Sequence, residues 1–341
     1  MTQHLLGSIG PDRRAFGAGV LASLLAVTGA NAQDRPSPSP TAEEWSRIWP
    51  PREVIPLWPD TPPGRIVGFE APAMPSGWSG GVWPASFLRR TARPTLNVFR
   101  PAQPNGEALL VCPGGAYVFV SAANEGVDVA RLFTALGVTV FVLSYRLPGE
   151  GWGDRTNVPL QDAQRAMRLI RSRAPAFGIR PESVGVLGFS AGGHLAATLA
   201  VDHAEQVYRP IDAVDHESAR PAYAGLVYPV ILTSGLLAHA RSRDELLGRE
   251  PSPEQAAHRS PNLRISSATP PCFLAHAADD TSVPIENSLT MFEALRAARI
   301  ECEGHFFAEG QHAFGIGRPD QSSALWPQLF DRWVRRTTRP S

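Results

Sequence analysis

Lysine is absent from this chain of 341 residues, so all 32 of its basic residues are arginine. The arginines are scattered, and we read the bias as one of coding rather than of function. They are balanced by 32 acidic residues, which leaves a formal net charge of zero. There is therefore no electrostatic case for nucleic acid, an acidic polymer or an anionic membrane as partner. Cysteine is nearly as scarce, with only Cys112, Cys272 and Cys302. Three is too few, and odd, for a disulfide framework. Cys112 and Cys272 sit in apolar runs, and the three read as small buried hydrophobes. None stands on a Gly-flanked turn that would present a thiol nucleophile. Past the N-terminus, no apolar run approaches the roughly 20 residues that a membrane span needs.

The N-terminus has its own pattern. Arg13-Arg14 precede an apolar stretch from Ala15 to Ala30, which closes on Ala30-Asn31-Ala32. A charged start, a short apolar run and an A-x-A site read as an export signal over residues 1–32. The paired arginines resemble the twin-arginine class, and an ordinary secretory signal is the alternative. On this reading the mature chain begins near Gln33, is periplasmic or secreted, and has no membrane partner after cleavage. Asp34 to Thr41 alternates Pro and Ser as an extended linker does. Residues 33–92 read as a Pro- and Trp-rich segment packed on a following core. Trp45, Trp49, Trp58, Trp78 and Trp83 either anchor that segment or stack on sugar rings.

What is plentiful is apolar residues, at 43% against 19% charged, as in ordinary soluble globular proteins. From about residue 95, short apolar runs alternate with helical periodicity. Ala108–Cys112, Val138–Leu143, Val184–Gly188, Tyr223–Val230, Cys272–Ala275 and His305–Phe307 read as strands. Glu125–Leu136, Leu160–Arg173, His194–Val201, Glu286–Ala298 and Leu325–Arg336 read as helices. The run VTVFVL at 138–143 is apolar throughout, as in a strand buried on both faces. Repeated β-α-β of this kind gives an α/β fold, a mostly parallel sheet with helices on both faces. The catalytic domain is placed at 93–341. The less regular segment 203–262, with a short helix near Asp244–Leu247, reads as an insert that either caps the site or pads the surface.

The chemistry centres on Gly188-Phe189-Ser190-Ala191-Gly192. This G-x-S-x-G follows a strand and precedes a helix, the context that gives the motif meaning. Gly on both sides removes the Cβ atoms that would collide in so sharp a turn. Ser190 then stands at the carboxyl end of the sheet, where open α/β sheets place ligands. A serine hydroxyl needs a base, and in this fold the partners follow in the order Ser, Asp/Glu, His. His312 lies in the Gly-containing loop Glu309–Gly315 after the last strand and is the candidate base. His305 lies within that strand, and His194 on the helix after Ser190 reads as structural. Two acids compete in the loop after Cys272–His276. Asp280 is favoured as the residue that orients His312, and Asp279 reads as a loop-stabilising residue. The developing oxyanion needs preorganised donors. Ala191 N–H is one, and Gly115 or Ala116, in the loop Pro113–Tyr117, supplies the other. Tyr117, Phe119 and Trp152 follow sheet ends, and Tyr117 and Trp152 are taken as substrate-binding.

Cys112-Pro-Gly-Gly-Ala-Tyr117, Ser144-Tyr-Arg-Leu-Pro148, Pro159 to Met167, Gly188 to His194 and Glu309 to Gly315 together resemble the acetyl esterase/lipase group of the α/β-hydrolases. That group includes acetyl xylan esterases and related carbohydrate esterases, and the likeness covers about Arg93 to Arg336. It implies roles for Ser190, Asp280, His312 and the loop Gly114–Ala116, and implies neither metal nor organic cofactor. Ala116 stands where many relatives have a third Gly. Pro113 stands where lipases of the hormone-sensitive type have His, which counts against a lipase. The expected partner is a small-molecule or oligosaccharide ester, deacetylated through an acyl-enzyme on Ser190. A general small-ester carboxylesterase is the alternative. A peptidase of the prolyl-oligopeptidase type lacks room here for its propeller, and a binding protein would need no Ser, Asp and His set.

Overall fold

The computed structural model describes residues 41–64 and 84–338. The expected export signal, the linker before Thr41, Trp78 and Trp83 lie outside the described residues. Eight strands form one sheet: β1 Glu53–Pro56, β2 Thr95–Phe99, β3 Ala108–Cys112, β4 Thr139–Ser144, β5 Val184–Phe189, β6 Ala224–Val227, β7 Cys272–Ala277 and β8 Cys302–Phe307. Their spatial order is β1-β2-β4-β3-β5-β6-β7-β8. β2 is antiparallel to β1 and β4, and every other pairing is parallel. This is the α/β-hydrolase arrangement.

Alternation along the strands divides the core. Leu110 and Cys112 of β3 and Phe141 and Leu143 of β4 join Ala163, Met167, Leu195, Leu199, Met291 and Leu295 on one face. Those residues come from the helices Val158–Ser172, Ser190–Asp202 and Glu286–Ala297. Leu109, Val111, Val140 and Val142 point the other way, as a two-residue period requires. They meet Val129 and Phe133 of helix Asp128–Ala135 and Trp326, Phe330 and Trp333 of helix Trp326–Thr337. Central strands with both faces covered explain the uninterrupted apolar runs. Cys112 and Cys272 are fully buried there, and Cys302 is half-buried.

Several expectations shift. The helix expected from Glu125 opens instead as a π-turn over Ala123–Val127 before the α-helix begins at Asp128. Such a bulge re-aims side chains locally, and here it turns Glu125 inward. The strand expected over Tyr223–Val230 is only Ala224–Val227, because Tyr228 has φ 37° and leaves the sheet. The segment 203–262 is not a single insert, since β6 lies within it and pairs with both β5 and β7. The stretches on either side of that strand are what remain for a cap.

The N-terminal segment contributes β1 to the sheet edge. Trp45 is buried and stacks on Trp49 at 5.2 Å. Trp58 is also buried and donates its indole N–H to Asp162 at 2.9 Å. That carboxylate forms a wholly buried ion pair with Arg146 at 2.7 Å. These three tryptophans therefore anchor the segment rather than wait for a ligand.

Candidate active site

β5 ends at Phe189 in extended conformation, and the next residue starts a helix with φ 52°. A non-glycine residue in this region is strained, and packing holds Ser190 there. A Cβ on Gly192 would lie 2.1 Å from the Cys112 carbonyl oxygen, and one on Gly188 would lie 2.2 Å from that of Gly192. The two glycines thus let the serine turn press against the end of β3. Ser190 is almost wholly buried, and its Oγ lies 2.9 Å from His312 Nε2.

His312 sits in the loop after β8, between Gln311 and Ala313, both with positive φ. Its Nδ1 lies 2.7 Å from Asp280 Oδ2. Asp280 Oδ1 accepts the backbone N–H groups of Ser282 and Val283, each at 2.9 Å. Burial works to raise the carboxyl's pKa, but hydrogen bonds from His276 and His312 outweigh it and hold the group below the usual range. Asp279 accepts the Gln311 N–H at 2.7 Å, which braces the histidine loop as expected of a loop-stabilising residue. The three side chains expected to act together are thus brought together, from the ends of β5, β7 and β8.

The loop after β3 lies beside Ser190. Gly115, Ala116 and Tyr117 have φ of 124°, 55° and 61°. A Cβ on Gly114 would be 2.8 Å from that of Ser190, and one on Gly115 would be 2.2 Å from the Phe119 carbonyl oxygen. Both positions therefore require glycine. Among the described residues, no hydrogen bond uses the N–H of Gly115 or Ala116. Ala191 is in the first turn of its helix, where N–H groups have no intrahelical partner.

Tyr117 and Trp152, expected to bind substrate, are both buried side chains. Tyr117 is buried, and its hydroxyl pairs with His194 Nδ1 at 2.8 Å, because a buried phenol needs a partner. His194 Nε2 in turn meets the Arg259 carbonyl at 2.8 Å. Burial lowers the pKa of this imidazole to about 4, in keeping with a structural role. Trp152 is buried as well, beneath the Arg146 guanidinium at 4.8 Å. Phe119 is half-buried and stacks on Phe87 at 4.0 Å.

Three further residues escaped the sequence reading. His276, at the end of β7, places Nε2 3.2 Å from Asp280 Oδ2 and 3.0 Å from the Val283 carbonyl. Glu125 accepts the Gly114 N–H at 2.7 Å and the Tyr228 hydroxyl at 2.9 Å. A histidine inside an otherwise apolar strand was the only hint of the first. Nothing local marked Glu125 or Tyr228. Among the described residues, no group of His, Cys, Asp and Glu could hold a metal ion.

Residues 96–295 match the family described as BD-FAE. The chain belongs to the BD-FAE family. Among relatives of this BD-FAE member, an acetylxylan esterase of Xylanibacter ruminicola is 33% identical over 246 residues, covering 71% of this chain and 48% of that one. Endo-1,4-beta-xylanase B of Butyrivibrio fibrisolvens is 35% identical, covering 63% of this chain and 33% of that one. This chain thus spans half or less of the length of these two relatives. Among solved structures, an acetyl ester-xyloside bifunctional hydrolase from Caldicellulosiruptor lactoaceticus superposes with a TM-score of 0.67 at 32% identity. It covers 83% of this chain and 96% of its own. The carboxylesterase Cest-2923 from Lactobacillus plantarum gives 0.60 at 26% identity over 73% of this chain and 94% of its own. The BD-FAE family and these neighbours bear out the resemblance to acetyl esterases on the α/β-hydrolase fold.

Proposed function

We propose that this BD-FAE protein is a serine carboxylic-ester hydrolase that removes acetyl groups from oligosaccharide or plant polysaccharide of the xylan or xyloglucan type. The observation that carries the reading is the relay from Ser190 Oγ through His312 to Asp280, at 2.9 and 2.7 Å, beside the N–H groups of Gly115 and Ala116, which no hydrogen bond uses among the described residues. The acetylxylan esterase relative and the acetyl ester-xyloside hydrolase neighbour support the acetyl and sugar parts of it.

In this mechanism Ser190 Oγ attacks the ester carbonyl as its proton passes to His312 Nε2. Negative charge collects on the carbonyl oxygen, where Ala191 N–H and that of Gly115 or Ala116 meet it. Asp280 stays ionised and stabilises the imidazolium. Collapse of the intermediate breaks the ester bond, and the departing alkoxide takes the proton from His312. Water then gives up a proton to His312 and attacks the acyl-enzyme, which frees acetate and restores the Ser190 hydroxyl. Every proton is accounted for within the relay.

A second reading is a small-ester carboxylesterase. The burial of Tyr117 and Trp152 favours it, since neither ring is free to stack on a sugar. Acetate release from acetylated xylan or xyloglucan fragments separates the two, with wild type and Ser190→Ala assayed together. Release that vanishes in the variant supports the sugar-ester reading. Turnover of a small aryl acetate alone, still dependent on Ser190, moves the assignment to small esters. If neither substrate turns over in folded protein, both readings fail.

We also infer export. Arg13-Arg14, the apolar stretch to Ala30 and Ala30-Asn31-Ala32 support it, and N-terminal sequencing from the native host tests it. An intact Met1 would refute it.

A further inference from the structure

Two loops must hold their shape for the proposed reaction: the one that offers N–H groups to the oxyanion and the one that carries His312. They arise from opposite parts of the sequence, after β3 and after β8, and no backbone hydrogen bond joins them among the described residues. One wholly buried carboxylate lies between them. Glu125 Oε2 accepts the Gly114 N–H at 2.7 Å, and its Oε1 accepts the Tyr228 hydroxyl at 2.9 Å. The Tyr228 hydroxyl oxygen accepts the Gly315 N–H at 3.0 Å. The Tyr228 ring also lies against His312 at 5.1 Å and Phe314 at 4.5 Å.

We propose that Glu125 is a positioning residue that, through Tyr228, sets the oxyanion loop and the His312 loop in register with each other. The inference rests on the esterase reading above and names what holds that site together. The geometry is specific. By accepting the Gly114 N–H, Glu125 fixes the Pro113–Gly114 peptide plane, one residue before three successive residues of positive φ, Gly115, Ala116 and Tyr117. Turning that plane would turn the N–H groups that follow it. Every polar atom of the bridge is used: both carboxylate oxygens accept, and the phenol both donates and accepts. Satisfied buried networks of this kind rigidify what they join. Burying a carboxylate is costly, and the π-turn at Ala123–Val127 is what delivers it.

Wild type, Glu125→Ala, Glu125→Gln, Tyr228→Phe and the Glu125→Ala/Tyr228→Phe double variant are compared on a small aryl acetate. The loss of one preorganised oxyanion donor lowers turnover by roughly 10²-fold or more, so Glu125→Ala is expected to lose about that in kcat with KM little changed. Inhibition by phenylboronic acid, whose Ser190 adduct puts an oxygen where the oxyanion forms, weakens by a comparable factor. Glu125→Gln keeps an acceptor for the Gly114 N–H and recovers most of the rate. The double variant is little worse than Glu125→Ala, because both substitutions cut one bridge.

Glu125→Ala that melts like wild type and keeps kcat within about threefold overturns the proposal, as does a loss confined to KM. If Glu125→Ala does not fold, Tyr228→Phe decides, since it removes one hydroxyl and keeps the ring. Wild-type kcat and wild-type boronate inhibition in Tyr228→Phe then overturn the bridge. Absence of Ser190-dependent turnover in wild type is a separate outcome that sinks the esterase reading and this inference with it.

Discussion

His276 Nε2 stands 3.2 Å from Asp280 Oδ2, the same oxygen that lies 2.7 Å from His312 Nδ1. His276 is fully buried, and its Nδ1 meets the Ser288 hydroxyl at 2.8 Å. Both neighbours of Nε2, the carboxylate and the Val283 carbonyl, can only accept, so Nε2 carries the hydrogen. Asp280 is thus held by His276 behind, by two backbone N–H groups at its side and by His312 in front. The carboxylate that orients the base is itself oriented by a second imidazole.

Replacement of His276 by Ala leaves Ser288 and Asp280 short of a buried partner. Such a loss costs about 1–3 kcal/mol of stability, besides the cavity left by the ring. Thermal melting should show it, and kcat should fall because Asp280 is less firmly aimed. Unchanged melting and unchanged kcat would remove His276 from the account.

Asp280→Asn keeps the shape but presents an amide to Nδ1 and favours the wrong tautomer of His312. In a serine protease triad the same change costs about 10⁴ in kcat, an example that sets the scale expected here. Folding should be retained, as read by circular dichroism. Asp279→Asn, which leaves the relay intact, should cost far less.

Acid stability should carry the mark of His194. Its folded pKa is lowered by burial from 6.5 to about 4, so between those values the unfolded chain binds a proton that the folded chain does not. Stability then rises with pH across that window and is lost as pH falls through it, by up to about 3 kcal/mol. His239, lowered to about 4 chiefly by burial, adds to the same slope. Asp280 has a depressed carboxyl pKa, so its contribution is lost only at more acid pH. Denaturant melts at pH 7, 5.5 and 4.5 would read the slope, and His194→Gln should flatten it. An equally steep slope in that variant would refute the assignment.

Gly114→Ala puts a Cβ 2.7 Å from the Phe189 carbonyl oxygen and 2.8 Å from the Ser190 Cβ. Something must shift, and the same Cβ would lie 2.9 Å from Glu125 Oε2, the atom that holds the Gly114 N–H. We expect kcat on an aryl acetate to fall by roughly 10²–10³, the worth of one oxyanion donor. A rate near that of wild type would show that the loop does not serve the oxyanion.

Tyr117→Phe separates a structural phenol from a substrate contact. With its hydroxyl on buried His194, the change should lower stability by about 1–3 kcal/mol and leave KM nearly unchanged. A raised KM at wild-type stability would restore Tyr117 to the substrate side.

The G-x-S-x-G between an apolar run and a helix was legible because strained turns tolerate few residues and strands buried on two faces have a plain apolar signature. Chain order then pointed to His312 and Asp280. The burial of Tyr117 and Trp152 was not legible, because a sequence places a residue at a strand end without saying which way its side chain turns. Glu125, Tyr228 and His276 were invisible as a set, since each pairs with residues far away in the chain. Sequence alone determined the strand-helix alternation and which residues could react, because both follow from local spacing and side-chain chemistry. Only the tertiary structure decided which polar groups are buried against each other. Desolvation and hydrogen bonding, which set their pKa values and their aim, depend on what the fold brings within 3 Å.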